Sequence, residues 1–297
     1  MFILFAVASC TERIDIPTIK DAPQQLVIYG YITTDTVLIR ITRSAGYFTT
    51  DSPVGVSEAI VTISTDKEEP ITLKEKEKHD EKYEQGLYFA DPGLYGKEGK
   101  TYTLNVHLDA SSQQFEASAY LQTIHHIDSI ELRWMETPPD FPPLDMVEVC
   151  LFAKNYSEDN TYSIFVAIND TVVNSTINDF FLIDDAMLRE QEDILGVGCY
   201  WLNQNPRREY QNNEILKPGD KVTLNMNAIS KEYAAFIRNA QSEISGSNPI
   251  FGGPPANVPT NIRRVSPQNG TPALGFFTAF PSRYAHTIVE EDFLINR

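Results

Sequence analysis

Period-two alternation constrains this chain more than any other feature of its sequence. Between Thr101 and Asp109, Tyr102, Leu104, Val106 and Leu108 alternate with Thr103, Asn105, His107 and Asp109. Successive side chains of an extended strand point to opposite faces, so such a stretch buries one face and wets the other. Ala59, Val61 and Ile63 repeat the pattern, as do Phe115, Ala117 and Ala119. Leu26–Thr33 is nearly continuous in apolar residues with Gly30 inside, and Val37–Ile41 follows the turn residues Thr34-Asp35-Thr36. Gly86-Leu87-Tyr88-Phe89 begins another short strand that Asp91-Pro92-Gly93 ends. Six or seven short strands punctuated by turns predict an immunoglobulin-like antiparallel β-sandwich over residues 25–122.

A boundary falls near Gln122–Asp128, and a second β-rich domain with one or two helices is expected over 123–297. Ile130, Leu132 and Trp134 alternate, Pro138–Pro143 breaks the chain, and further strands fit Val147–Ala153, Tyr162–Ile168, Gly198–Leu202 and Lys221–Asn227. One helix is predicted over 230–244. Ser230 caps it, Glu232 sits in its first turn, and Tyr233, Phe236, Ile237, Ala240 and Ile244 follow helical spacing up to Gly246. Asp184-Asp185 reads as the cap of a short helix over 186–192. Residues 246–273 then form a long loop rich in Pro and Gly, without periodicity, and loops of that length in compact domains are functional or serve as linkers. A strand over Leu274–Phe280 and another over Ala285–Glu290 close the chain. The expected fold class is mainly β.

Charge narrows the function. The chain carries 41 acidic and 24 basic side chains for a formal net charge of −17, the opposite of the clustered Lys and Arg that neutralise phosphates, so nucleic acid is excluded as a partner. No apolar run reaches the roughly 18 residues of a spanning helix. Residues 1–9 are apolar and uncharged and stop at Cys10. The spacing Val7-Ala8-Ser9-Cys10 resembles a bacterial lipobox, which predicts a signal peptide over 1–9, lipid attachment at Cys10 and a tether over 10–24. Multiple acyl chains on such a cysteine give stable membrane attachment. Cys150 and Cys199 admit two readings: a disulfide, which persists outside the cytoplasm, or two buried free thiols.

Signs of chemistry are sparse. Asp184-Asp185 and Glu290-Glu291-Asp292 lack EF-hand spacing. His125-His126 face opposite ways on an extended chain and lack the i, i+4 spacing of a zinc site. No Gly-x-Ser-x-Gly, phosphate-binding or dinucleotide fingerprint occurs. Neither a catalytic residue nor a metal nor a cofactor is expected, and the chain reads as a non-enzyme. Among aromatic residues of a kind that stacks on sugars, Trp134 lies on the apolar face of its strand, whereas Tyr200 and Trp201 occupy opposite faces, so that one is exposed.

The C-terminal third carries an ordered pattern: a helix with Ser230 and Tyr233, then Asn248-Pro249, Pro254-Pro255, Thr260-Asn261-Ile262 and Ala273-Leu274-Gly275-Phe276-Phe277-Thr278-Ala279. It resembles the closing signature of the DUF4249 family of Bacteroidota lipoproteins. Leu26–Thr33 looks like the family's opening strand, with Ala59–Ile63 and Gly86-Leu87-Tyr88 where its later elements fall. The resemblance implies an outer-membrane lipoprotein, facing the cell surface, that serves as a non-enzymatic accessory or binding subunit of a membrane complex with a TonB-dependent transporter. The alternatives are a stand-alone glycan- or peptide-binding surface lipoprotein and a structural or adhesive surface protein. The resemblance transfers no catalytic residue. Physically, Gly275 suits a close backbone approach, Asn261 suits satisfaction of loop backbone groups, and Phe276 and Phe277 face opposite sides of a strand. Two readings of this segment stand: a loop pinned across a sandwich, or a partner-binding surface formed by Pro254, Pro255, Asn261, Ile262, Gly275, Phe276 and Phe277.

Overall fold

A computed structural model of the chain describes residues 24–45, 52–65, 68–76, 85–124, 126–136, 144–153, 160–184, 196–205, 214–246 and 258–295. Cys10, the tether up to residue 23, His125, Asp185, the expected helix over 186–192, Pro254 and Pro255 lie outside these residues.

Two β-sandwiches make up the described body. The first begins with β1 (Leu26–Thr33), β2 (Val37–Arg43), β3 (Val54–Gly55), β4 (Ala59–Thr65), β5 (Glu68–Thr72), β6 (Lys74–Glu75), β7 (Leu87–Phe89), β8 (Lys100–Leu108) and β9 (Gln113–Leu121). The second uses β10 (Ser129–Trp134), β11 (Met146–Phe152), β12 (Thr161–Ile168), β13 (Thr171–Val172), β14 (Phe181–Asp184), β15 (Val197–Asn203) and β16 (Lys221–Ile229). Helix α1 (Lys231–Ser245) follows, then β17 (Arg263–Ser266), β18 (Leu274–Phe280), β19 (Ser282–Ile288) and the short helix α2 (Glu291–Ile295). The mainly β class expected from the sequence is what is observed.

Alternation did place the cores. In β8 the side chains of Tyr102, Leu104, Val106 and Leu108 are buried together with Val61 and Ile63 of β4 and Phe115 and Ala117 of β9. They face Ile28 and Ile32 of β1 and Ile39 and Ile41 of β2 across the first sandwich. In the second, Val147, Val149 and Leu151 of β11 meet Ile164 and Val166 of β12 and Val222, Leu224 and Met226 of β16. Trp134 packs against this second core, as its position on the apolar face predicts. Its ring stacks on Phe293 of α2 at 5.8 Å and its Nε1 donates to the Phe293 carbonyl at 2.9 Å.

The boundary near Gln122–Asp128 separates the sandwiches in the outward direction only, because the chain returns. One sheet of the first sandwich runs β18-β1-β2-β7-β6 and the other β17-β9-β8-β4-β5. Strand β18 lies parallel to β1, with Gly275 opposite Ile28 and Phe277 opposite Gly30, and β17 pairs antiparallel with β9. Residues 25–122 therefore do not complete the first sandwich; two strands from the C-terminal third border both of its sheets. The long loop expected over 246–273 likewise contains a strand, β17, whose four residues are too few to declare a period.

Helix α1 begins as predicted: the Ser230 hydroxyl accepts from the Tyr233 N–H at 3.1 Å, satisfying one of the free first-turn donors. Tyr233, Ala234, Ile237 and Ala240 form its buried stripe. It lies between the sandwiches, packing on Phe276 and Phe280 of β18, Tyr29 of β1, and Ile177, Phe180 and Leu182 beside the second sandwich.

The two cysteines are free buried thiols, which corrects the disulfide reading. They sit on neighbouring strands β11 and β15, but the register shifts between Val149 and Cys150. Cys199 turns into the second core, whereas Cys150 shares a face with Glu148 and donates its S–H to Glu148 Oε2 at 3.3 Å. Side chains on opposite faces cannot join.

Candidate functional site

The partner-binding surface expected on the C-terminal signature is corrected at three of its described members, Ile262, Phe276 and Phe277. Ile262 and Phe277 are buried in the first core, and Phe276 is buried beneath α1. The two phenylalanines do face opposite sides of β18, one serving each cluster. Gly275 adopts φ +96°, and a Cβ there would stand 2.1 Å from the Ile28 carbonyl oxygen, so the position permits β1 and β18 to close. Asn261 clamps β18: its Nδ2 donates to the Phe277 carbonyl at 2.7 Å and its Oδ1 accepts from the Phe277 N–H at 2.9 Å. This is the pinned-loop reading. The side chains of Ile262, Phe276 and Phe277 thus serve the fold's interior.

Among the described residues, an open recess of about 400 Å³ lies between the sandwiches. It arises from the same alternation that builds the cores. On β1, Ile28, Gly30 and Ile32 turn into the first sandwich, so Tyr29, Tyr31 and Thr33 point out of it. On β12 and β16, Ile164, Val166, Leu224 and Met226 turn into the second sandwich, and Ser163, Phe165, Asn225 and Asn227 point out. The outer faces of these two sheets confront one another. Asp35 and Thr36 of the β1–β2 turn, Ser282 and Tyr284 of β19, Phe280 of β18, Phe180 just before β14, and Tyr233 of α1 complete the walls.

Cross-links hold the walls in place. Tyr29 and Tyr233 share a hydroxyl–hydroxyl hydrogen bond of 2.5 Å. The Tyr284 hydroxyl donates to Asp35 Oδ2 at 2.9 Å, and the Ser282 N–H donates to Thr34 Oγ1 at 3.3 Å, so β19 of the second sandwich is tied to the first turn of the first. Arg283 reinforces the same junction through Glu98 at 2.6 Å and the Ile124 carbonyl at 3.1 Å. Within the recess the Ser282 hydroxyl donates to Asn227 Oδ1 at 2.7 Å. The Gln241 side chain of α1 donates to the carbonyls of Ile177 and Phe180, each at 2.9 Å, and thereby positions the Phe180 ring.

The electrostatic character of the recess is that of neutral phenols and amides. Burial raises the pKa of Tyr29, Tyr31 and Tyr233, the last strongly, with the neighbouring phenol adding to it. Burial and then the bond to Asp35 raise Tyr284. All four stay protonated hydroxyls at neutral pH. Asp35 is the one ionisable carboxyl among the lining residues, and none of those residues is a Lys, Arg, His or Cys.

The other residues singled out in the sequence lie apart from this recess. Asp184 accepts from the Thr161 hydroxyl at 2.8 Å and pairs with Arg238 of α1 at 3.2 Å. His126 pairs with Asp128 at 2.9 Å on the surface. Of the aromatic pair on β15, Tyr200 packs against the second core and Trp201 is the exposed member, as their alternation requires. No group of three or more His, Cys, Asp or Glu side chains suited to a metal occurs among the described residues. Sequence reasoning missed the recess, although one signal was present. The near-continuous apolar run of β1 marks a strand covered on both faces, and its outward members are aromatic.

Fold and site together define a double β-sandwich protein with an aromatic, uncharged-to-acidic cleft at the junction. The family described as a domain of unknown function, DUF4249, matches residues 11–284, and the chain belongs to it. A comparison with curated proteins finds no match.

Proposed function

We propose that the protein is a non-enzymatic binding subunit, lipid-anchored through Cys10 at the outer membrane, facing the cell surface and working with a TonB-dependent transporter. The observation that carries the binding role is the junction cleft, which offers rings, hydroxyls and amides already held in place by bonds between the sandwiches. Pre-formed concave sites of about 300–1,000 Å³ with a few convergent polar groups are the usual form of small-molecule sites. The lipobox-like spacing before Cys10 supports the anchor, and the expectation attached to the family supports the transporter partner.

The test is co-purification of a C-terminally tagged chain from detergent-solubilised outer membrane, with the Cys10→Ala variant and radiolabelled palmitate alongside. The proposal expects palmitate on the parent and none on the variant, and a TonB-dependent transporter recovered in stoichiometric amount. A lipid-labelled chain recovered alone overturns the subunit role. Equal labelling of parent and variant overturns the anchor.

A further inference from the structure

We infer that the junction cleft binds a neutral carbohydrate, one or two sugar rings in size. The inference rests on the binding role proposed above and names the ligand class of the same site. It is carried by polar groups that the fold leaves unfinished beside aromatic walls. Asn225 Oδ1 is buried and has no hydrogen-bond partner, although its neighbour on the same face, Asn227, bonds both Ser163 and Ser282. Buried polar atoms are almost always paired, and leaving one unpaired costs about 1–3 kcal/mol, so a ligand hydroxyl that turns the Asn225 amide, which also meets Tyr284, toward the cleft would supply the missing partner. The Tyr29–Tyr233 pair leaves a second vacancy. Each phenol has one proton, one hydroxyl donates to the other, and the accepting hydroxyl keeps a proton that no acceptor among the described residues takes.

One orphan accepts and the other donates. A sugar hydroxyl does both, and a chain of hydroxyls on a rigid ring can meet both vacancies at once. The ring's C–H faces suit aromatic walls. Tyr31 and Phe280, 6.1 Å apart, line one side, and Phe165 and Phe180, 4.7 Å apart and edge to face, line the other.

Charge decides against the rival classes. Phosphorylated or carboxylate ligands find no cation among the lining residues, in a chain of net charge −17. An ammonium ligand would suit an aromatic cage, but an ammonium has no lone pair to take the spare proton of the Tyr29–Tyr233 pair. A purely apolar ligand would bury the Asn225 oxygen unpaired, at the full desolvation cost.

The test titrates the purified full-length chain with maltose, cellobiose, lactose and N,N′-diacetylchitobiose, and in parallel with glucose 6-phosphate, choline and a blocked tripeptide, read by calorimetry and saturation-transfer NMR. Saturable binding of a neutral disaccharide is expected. Asn225→Ala should weaken it about tenfold, the loss of one buried hydrogen bond. Tyr31→Ala, at a half-buried wall ring that makes none of the bonds between the sandwiches, should weaken it as well, which keeps the test valid if Asn225→Ala folds poorly. Tyr120→Ala, on the far face of β9, should change nothing. Binding of choline, the phosphosugar or the tripeptide alone overturns the inference. So does disaccharide binding that survives both cleft variants, and so does the absence of binding by any probe. Co-purification with a transporter uses no ligand, so the subunit role and the carbohydrate inference can fail separately.

Discussion

Replacing Asn261 by alanine tests how the edge of the first sandwich is finished. Strand β18 hydrogen-bonds to β1 on one side, and on the other the Phe277 N–H and carbonyl meet no strand. The Asn261 amide satisfies both, at 2.9 and 2.7 Å, so one side chain replaces one residue of a missing ladder. Phe277 has no exposed surface, so water cannot take over. Each buried group left unpaired costs about 1–3 kcal/mol, which places Asn261→Ala at roughly 2–5 kcal/mol once partial relaxation is allowed. In a domain of this size that lowers Tm by about 5–15 °C. Urea denaturation followed by circular dichroism gives the stability change, and amide exchange resolved at Phe277 gives its location. The Phe277 amide should be protected in the parent and exchange faster in the variant. A variant within about 0.5 kcal/mol of the parent, the range of ordinary surface changes, refutes the clamp, as does unchanged protection at Phe277.

Three further outcomes follow from the geometry. Gly275→Ala should destabilise by about 2 kcal/mol or more in urea melts, because it combines a positive φ with a Cβ against the Ile28 carbonyl; a neutral effect would show that β1 and β18 can part without cost. Tyr29 and Tyr233 have folded-state pKa values raised above the unfolded value of about 10. Their stabilisation is therefore complete below pH 10 and lost as pH rises through the folded values, and a Tyr29→Phe, Tyr233→Phe double variant should show a shallower alkaline loss of stability than the parent. Native protein should resist iodoacetamide at pH 8 at both Cys150, whose thiol is pushed up to about 12 by burial and its bond to Glu148, and Cys199, pushed up further by burial. Both should alkylate after unfolding without reductant; peptide mapping that finds them joined would restore the disulfide.

How far the sequence foretold this structure depends on the range over which each feature is encoded. The long strands β1, β4, β8, β9, β12, β16 and β18 carry their own signal, since each has enough residues to display a period, and α1 announces itself by Ser230 and a spaced apolar stripe. Strands β3, β5, β6 and β13 are two to five residues long and announce nothing. The parallel union of β18 with β1 was unreadable for another reason: it joins opposite ends of the chain, and local pattern does not choose partners. Gly275 and Asn261 were assigned their physical roles from residue type, because a missing Cβ and a bidentate amide each have few uses. The cleft escaped notice because alternation separates inward from outward positions without saying what lies outside. Asn225 and Asn227 had the pattern of solvent-facing side chains until a second sheet was placed opposite them, and Tyr29 and Tyr31 marked β1 as covered without saying by what.

The late return of β17 and β18 also sets the order in which the molecule can mature. Both sheets of the first sandwich end on the same flank in strands supplied by residues 263–280, so β1 and β9 present bare edges until nearly the whole chain is available. Contacts of such long sequence separation are slow to form, and open edges invite pairing with other chains in the meantime. A chain cut before Arg263 should accordingly self-associate, however complete its first nine strands. The last strands to appear thus work as a latch that covers both open edges at once.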